Sequence, residues 1–330
     1  MRRSGPARLT VFLCSLLASA TAFIALAQNS GQSTPYWAYA VNPPAPASPA
    51  SKPDTTPKHV PNSNASYTPA QIGDFFGVPD WHPEAHPPMP EIVAHGRKPD
   101  VFACGFCHLP NGLGRPENAN LAGLQASYIE AQLRDFRSGT RKCSEPTFKP
   151  AFNMNLHEAL ATDAEIRSAA EYFEHLPRKP WIRVVESPTV PKTHVFGWML
   201  VPDSPASTEP IGQRIIETPE NFERTELRDD TSGFVAYVPP GSLQKGKLLV
   251  TTGGGGATKP CAKCHGPGLR GTGAIPSIAG RSPSYLIRQL YDIKSGTRSG
   301  VQSRQMRPQV EKLTLDDMIA ITAYVASLRP

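Results

Sequence analysis

Two short segments carry the residues of this sequence that are best suited to chemistry, because each has two cysteines three positions apart and a histidine directly after the second. These residues are Cys104, Cys107 and His108 in the first segment and Cys261, Cys264 and His265 in the second. In this pattern the two thiols can add to the vinyl groups of a haem while the adjacent imidazole ligates its iron. A zinc site made of two Cys-x-x-Cys pairs, or a thioredoxin-like redox pair, is the alternative, but neither explains the histidine after both pairs.

Each motif is followed by a methionine that can serve as the second axial ligand of the iron. Met154 lies 46 residues after His108, and Met306 lies 41 residues after His265. A thioether ligand stabilises ferrous iron and suits an electron-transfer haem. The other methionines that follow the N-terminal leader are Met89, Met199 and Met318. The first precedes its motif, the second lies between the motifs and the third falls in a predicted helix, where a methionine commonly fills the core. Core filling is also the alternative for Met154 and Met306.

The two motifs belong to an internal repeat. At an offset of 157 residues, the sequence Ser-Gly-Thr-Arg at positions 138–141 recurs at 295–298. Beyond this point the offset falls to 152, because the first copy has five extra residues around Cys143. A repeat of this length indicates duplicated domains. We therefore expect a first domain with an N-terminal strap at residues 69–178 and a second domain at residues 241–330.

The sequence of each copy predicts three helices around a loop-rich middle, and no strands are needed. Residues 127–136 and 284–293 have apolar side chains at near-helical spacing. Thr162 and Thr314 each stand three residues before an acidic side chain, which is the pattern of a capping box at the start of a closing helix. Short leading helices are expected at residues 90–95 and 242–251. The predicted fold class is all-α.

The first 27 residues have the features of an export signal. Arginines at positions 2, 3 and 8 precede an apolar run, and small residues follow at the spacing that a signal peptidase reads. Cleavage would lower the net charge from +6 to +3, and no later Lys/Arg cluster indicates a nucleic-acid partner. An uncleaved anchor is the alternative, because a run of about 17 residues is near the lower limit for a membrane span. The signal predicts a periplasmic location.

The three segments outside the two copies differ from one another in composition. Residues 28–68 are rich in proline and small polar residues, which predicts a disordered tether. Residues 74–90 form an aromatic strap with His82 and His86, which could bind a metal, although solvated surface histidines are commoner. Residues 179–240 predict an irregular connector whose short alternating segments are compatible with a small hairpin.

Together, the motifs and the duplication resemble the class I cytochromes c, and the tandem arrangement resembles the di-haem members of that family in the bacterial periplasm. The resemblance covers about residues 90–178 and 241–330. It implies two covalently bound haem c groups, each in an all-α domain with one histidine and one methionine on the iron. It also implies that a proline carbonyl orients each ligating histidine. Pro276 stands at the expected position, whereas the first copy has Ala119.

The function implied is transfer of single electrons between redox proteins, without catalysis. The donor would be a dehydrogenase or reductase and the acceptor a terminal oxidase or another redox protein, with membrane contact only through a partner or an uncleaved leader. One alternative is the cytochrome subunit of a periplasmic dehydrogenase complex. Another is a di-haem enzyme of the thiosulfate-oxidising type, in which Cys143 would replace Met154 on the first iron. The repeated residues that could contact haem or its propionates, or serve instead as core tyrosines and surface arginines, are Tyr128, Tyr285, Arg141 and Arg298.

Overall fold

The computed structural model describes Met1 and residues 34–44, 52–203 and 207–330. Apart from Met1, the predicted export signal at residues 1–27 lies outside the described residues. Among the described helices, none combines the length and the apolar character that a bilayer crossing requires.

The first copy is built from short helices around a core of its own. They are α1 Pro69–Ile72, α2 Glu91–Ala94, α3 Cys104–His108, α4 Ala126–Arg137, α5 Lys149–Leu156 and α6 Asp163–His175. Helices α4 and α6 correspond to predicted helices, and the capping box of α6 is confirmed, since the Thr162 side chain accepts a hydrogen bond from the Glu165 N–H. Ile129 of α4 and Phe173 of α6 are buried in the same hydrophobic cluster. Leu113 and Ala122 of the loop after α3 are buried in this cluster too, so the loop is packed against the same core.

The connector between the copies is more regular than the sequence predicted. Its strands are β1 Ile182–Glu186, β2 Thr189–Pro191, β3 Thr193–Phe196, β4 Met199–Pro202, β5 Thr208–Pro210, β6 Ile216–Pro219 and β7 Phe234–Val238, with helix α7 Phe222–Glu226 before β7. Strands β3 and β4 form the expected hairpin. The central sheet has the order β1-β7-β6, in which β1 and β7 are parallel and β6 and β7 antiparallel. The fold is therefore mostly helical with small sheets, and the connector, which the sequence predicted to be irregular with a small hairpin, contains three sheets. Parallel pairing of β1 with β7 joins segments about fifty residues apart, which local alternation cannot reveal.

The second copy repeats the helical plan with a longer leading helix. Its helices are α8 Ser242–Thr252, α9 Ala262–His265, α10 Pro283–Ser295, α11 Val301–Val310 and α12 Leu315–Ser327. Helix α12 begins at the predicted capping box, in which the Thr314 side chain accepts a hydrogen bond from the Asp317 N–H. Helix α8 crosses α12 so closely that a side chain at Gly246 would overlap the carbonyl oxygen of Ala320. This crossing fixes α12, which carries part of the wall of the site described below.

Part of the predicted disordered tether is packed against the second copy. The main chain forms a 3-10 turn at Tyr36–Ala38, and Ala38 and Tyr39 are buried. The Tyr39 hydroxyl donates to Asp292 Oδ1 at 2.9 Å, and Arg288 Nη1 donates to the Ala38 carbonyl at 2.8 Å. The expectation of disorder over residues 28–68 is therefore wrong for this stretch. Its aromatic side chains supply apolar surface that offsets the entropy of ordering.

Candidate haem-binding site

The first motif lies on α3, a helix that consists of Cys104–His108 alone. The helix ends because Leu109 adopts a left-handed conformation, with φ of 63°. One helical turn separates Cys104 from Cys107, and both cysteines are free of disulfide bonds. Burial raises the pKa of both thiols, that of Cys107 to about 11, so both remain protonated at neutral pH. The two sulfurs are therefore held on one turn, directly beside a buried histidine.

The second motif has the same form. Cys261 stands at the N-cap of α9, and His265 is the last residue of that helix. Gly266 then turns the chain with φ of 74°. Its Cβ position is so crowded by Thr272 and Gly271 that glycine is required. Burial raises the pKa of the Cys261 thiol to about 11, and Cys264 is exposed.

Each motif histidine is oriented by a backbone carbonyl. His108 Nδ1 lies 2.8 Å from the Ala119 carbonyl oxygen, and His265 Nδ1 lies 2.9 Å from the Pro276 carbonyl oxygen. Because a carbonyl only accepts, Nδ1 carries the proton and Nε2 keeps its lone pair. Burial also lowers the pKa of His108 to about 4 and that of His265 below its ordinary value, so both rings are neutral at pH 7. The proline predicted to orient the second histidine makes this contact, and Ala119 makes it in the first copy because the bond uses only the backbone.

One cavity of about 450 Å³ joins the two motifs. His108 and His265 both line it, and so do Met154 on α5 and Met306 on α11. Among the methionines of the described residues, no others line this cavity: Met199 and Met318 are buried in the hydrophobic clusters, and Met89 packs against one of them. The structure thus brings the four predicted axial residues to a common space.

The residues that line this cavity fit haem. Each half offers two free thiols on one turn and a neutral imidazole whose Nε2 is left uncommitted by its Nδ1 bond. Each half also presents a methionine thioether in the cavity wall. The remaining wall is largely apolar, with Ile129, Phe136 and Phe173 on one side and Ile293 and Val325 on the other. This donor set is the one that covalent haem attachment with histidine and methionine ligation requires.

Two buried arginines link the copies across the cavity. Arg141 Nη1 donates to Gln132 Oε1 at 3.0 Å, and its Nη2 donates to the Tyr285 hydroxyl at 3.1 Å. Arg298 mirrors it, with Nη2 donating to the Tyr128 hydroxyl at 3.0 Å. The backbones of the two arginines also form an antiparallel bridge. The alternative of surface arginines is wrong, since each is only 8% exposed.

The same pair of arginines gives the cavity a positive charge. The side-chain hydrogen bonds of both guanidinium groups go to uncharged glutamine and tyrosine side chains, and Arg298 Nε is buried without a hydrogen-bond partner. Although burial opposes it, the nearby guanidinium groups of Arg141 and Arg298 hold the pKa of the Tyr285 hydroxyl below its ordinary value. An anionic group is therefore favoured here, and the propionates of haem supply such a group.

Cys143 lies in the wall of the cavity but belongs to the packing of the second copy. Its side chain packs against the hydrophobic cluster of that copy, and the next residue, Ser144, donates its N–H to Asp292 Oδ1 at 2.9 Å. Burial, with the nearby Asp292 carboxylate, raises the pKa of the Cys143 thiol to about 12. The five-residue insertion of the first copy therefore anchors the two copies to each other, and its cysteine is a protonated thiol.

Two residues at the first motif were not identified from the sequence. Arg228, from the connector, stacks its guanidinium 3.5 Å from the centre of the Phe106 ring and donates to the Phe106 carbonyl oxygen at 2.7 Å. Glu158 lines the cavity and is buried, which raises its pKa to about 8. Arg228 has no sequence signal, because it lies outside both copies. Glu158 does have a sequence signal, because the equivalent position in the second copy is the apolar Val310.

The chain is similar in sequence to several cytochromes. A profile of the cytochrome c family matches residues 244–329. The chain is 25% identical over 236 residues to the thiosulfate dehydrogenase electron acceptor of Stutzerimonas stutzeri strain A1501, covering 71% of this chain and 82% of that relative. It is 28% identical over 239 residues to cytochrome c4 of Azotobacter vinelandii, covering 68% and 84%. It is 32% identical over 77 residues to cytochrome c-554(547) of Halothiobacillus neapolitanus, covering 21% and 85%.

Proposed function

This chain belongs to the di-haem cytochrome c family, and on that premise we propose that it carries single electrons between two redox proteins through two covalently attached haems. The first haem would be bound by Cys104 and Cys107, and the second by Cys261 and Cys264. The axial ligands of the two irons would be His108 with Met154 and His265 with Met306. Residues 69–178 and 241–330 would be the two haem-carrying domains.

The observation that carries this proposal is that both motif histidines and both methionines line one cavity, together with three of the four motif cysteines, Cys104, Cys107 and Cys264. Haem, when bound, supplies one-electron chemistry at its iron. The chain supplies the orientation of the ligands and the apolar surroundings of the haem. The carbonyls of Ala119 and Pro276 orient the histidine rings, and the apolar walls exclude water. A cavity shared by the two copies would hold the two haems near each other, as relay of an electron from one to the other requires.

An exposed apolar surface supports docking of a protein partner beside the first haem site. Phe152, Leu156 and Leu160 follow one another along the segment that carries Met154, and their exposed fractions are 42%, 48% and 56%. Clustered apolar side chains on a surface commonly mark an interaction site. A partner that docks there would lie close to the wall of the cavity, which suits electron transfer without binding of a small substrate.

A redox titration of the purified protein, followed by absorbance and magnetic spectroscopy, tests the proposal. We expect two haems per chain, both six-coordinate, with histidine and methionine ligation. In the Cys104→Ala/Cys107→Ala double variant we expect one covalent haem to be lost and the other kept. One haem per wild-type chain, or a stable open coordination position on either iron, would contradict the proposal.

The relatives favour one class of electron donor. Because one relative is named as the electron acceptor of thiosulfate dehydrogenase, we propose a periplasmic dehydrogenase of small sulfur compounds as the donor. Purified thiosulfate dehydrogenase with thiosulfate should then reduce this protein within the enzyme's turnover time. Omission of thiosulfate is the control. If reduction is no faster than with the control, this donor is wrong while the electron-carrier proposal stands.

Export to the periplasm is part of the same proposal, since the charged and apolar leader predicts it. Mass spectrometry of the protein from the periplasmic fraction should give a chain that begins close to residue 28. A full-length chain in the membrane fraction would indicate an uncleaved anchor instead.

A further inference from the structure

Outside the haem site, three buried side chains form a cluster of potential metal ligands. His82 lies in the strap that precedes the first motif, directly before the 3-10 turn Pro83–Ala85. Asp229 and Asp230 lie in the connector, between α7 and β7. The exposed fractions are 5%, 2% and 5%. The expectation that the strap histidines are solvated surface residues is therefore wrong for His82.

The ligand atoms of these three residues lie close together. One atom from each, an imidazole nitrogen or a carboxylate oxygen, lies within 4.8 Å of the other two. His82 Nε2 is 3.4 Å from Asp229 Oδ1. In a tetrahedral zinc site with ligands at about 2.0–2.2 Å, two neighbouring ligands stand roughly 3.4 Å apart. The closest pair of the cluster already has this separation.

Two atoms of the cluster have no hydrogen-bond partner. His82 Nε2 and Asp230 Oδ1 are both buried and form no hydrogen bond, although His82 Nε2 lies within ion-pair distance of Asp229 Oδ1. Leaving a buried polar atom unpaired costs about 1–3 kcal/mol, and more for a charged group. A metal cation that accepts a lone pair from the nitrogen and from the carboxylate oxygen would satisfy both atoms.

The surrounding charges do not supply that cation. Arg224 Nε is 2.7 Å from Asp229 Oδ2 and neutralises that residue, and Asp229 Oδ1 accepts hydrogen bonds from the Thr231 N–H at 2.9 Å and from the Thr231 hydroxyl at 2.7 Å. His86 is paired with Asp80 at 3.1 Å. Glu84, at 3.7 Å from His82 Nδ1, adds further negative charge on the other side of the ring. Asp230 is thus the acidic residue of the cluster that has no ion-pair partner among the described residues.

We propose that His82, Asp229 and Asp230 bind one divalent transition-metal ion of the zinc type. One imidazole nitrogen and two carboxylate oxygens form a ligand set that zinc accepts, with water in the fourth position. Calcium and magnesium prefer sets made of oxygen alone. The haem motifs take no part in this site.

The position of the site suggests a structural role. The Trp81 Nε1–H donates to the Leu227 carbonyl oxygen at 2.7 Å, which ties the strap to the connector beside the cluster. On its other side, Asn111 Nδ2 donates to the Asp230 carbonyl oxygen. Asn111 follows the first motif by only three residues. A metal bound here would clamp the strap and the connector onto the segment that follows the first histidine ligand, and would stabilise the folded state by mass action.

The test uses the haem-loaded protein, so that the motif cysteines are occupied. The protein is stripped with a chelator and titrated with zinc chloride, and bound zinc is measured by elemental analysis and by X-ray absorption. The wild type should bind one zinc ion with nitrogen and oxygen neighbours and no sulfur, and its unfolding temperature should rise. His82→Gln and Asp230→Asn should each weaken zinc binding by more than about 100-fold, since loss of an outer-shell partner alone costs 10–100-fold. His59→Gln, which removes an exposed histidine, is the matched control and should bind zinc like the wild type.

Asp230→Asn keeps the proposal testable even if His82→Gln fails to fold. Without zinc this variant should be at least as stable as the wild type, because it removes an unpaired buried carboxyl group. With zinc the wild type should gain stability and the variant should not. The proposal is wrong if the wild type binds no zinc, if sulfur is a ligand, or if Asp230→Asn binds zinc as tightly as the wild type. None of these outcomes depends on the number of haems or on the electron-transfer partner.

Discussion

The crossing of α8 and α12 makes Gly246→Ala a test of how tightly these two helices hold the cavity wall of the second copy. A Cβ at position 246 would overlap the Ala320 carbonyl oxygen and lie 2.7 Å from the Cβ of Tyr324. Carbon atoms pack best at about 3.5–4.0 Å, so the two helices would have to separate by roughly 1 Å. Helix α12 would then carry Ile321, Thr322 and Val325 away from the cavity that they line.

Two effects of this substitution oppose each other. Alanine is a better helix former than glycine by about 1 kcal/mol, which alone would stabilise α8. Overpacking of a tight core costs about 1–3 kcal/mol, and the upper end applies where the clash is with backbone. We therefore expect a net loss of about 2 kcal/mol in the free energy of unfolding.

Guanidinium denaturation of the haem-loaded protein, followed by circular dichroism, measures this loss as a lower midpoint at an unchanged slope. Leu248→Ala is the control, because Leu248 is on the same helix and 56% exposed, and its replacement should change stability by less than about 0.5 kcal/mol. If Gly246→Ala is as stable as the wild type, or more stable, helix propensity dominates and the close-crossing argument fails.

Three further predictions concern the first copy. Met154→His should lower the midpoint potential of one haem and leave that of the other unchanged, because a second imidazole stabilises ferrous iron less than a thioether does. A redox titration in which neither potential changes would contradict the assignment of Met154 as a ligand. Burial raises the pKa of Glu158 from 4.5 to about 8, so this carboxyl keeps its proton in the folded state while the unfolded chain releases it. The free energy of unfolding should therefore fall as the pH rises from about 4.5 to 8. Glu158→Gln should flatten that slope in denaturation curves measured across this range, and an unchanged slope would show that Glu158 is not the group responsible. Cys143→Ala should leave the haem absorbance spectrum unchanged, because the buried thiol is protonated, whereas a spectral shift would identify Cys143 as a ligand.

Local sequence patterns predicted the leading, second and closing helices of each repeat, but not α5 and α11 in the middle of each. The capping boxes at Thr162 and Thr314 start helices α6 and α12, because their hydrogen bonds join residues only three positions apart. The apolar spacing in residues 127–136 likewise predicted α4. Within each repeat, the signals that form a helix lie inside the helix itself, so they can be read without knowledge of the rest of the chain.

Contacts between distant segments could not be predicted in this way. Tyr39 reaches Asp292 and orders a segment whose composition predicts disorder. Arg141 and Arg298 meet across the copies, although their positions in the repeat identify them only as equivalent residues. Arg228 supports the first motif from a connector in which no pattern marks it. Each of these contacts joins residues more than a hundred positions apart, and composition and periodicity carry no information about such pairs.

The sequence by itself determined the chemistry of this protein, because a haem-attachment motif is contained in five consecutive residues and its duplication is visible as a repeat. The tertiary structure decided what surrounds that chemistry. It joins both motifs in one cavity, pairs β1 with β7, and buries His82 beside Asp229 and Asp230. The physical reason is that haem attachment depends on the residue types at adjacent positions of one short motif. Burial, charge balance and a cavity common to both copies depend instead on which distant segments pack together in the folded core.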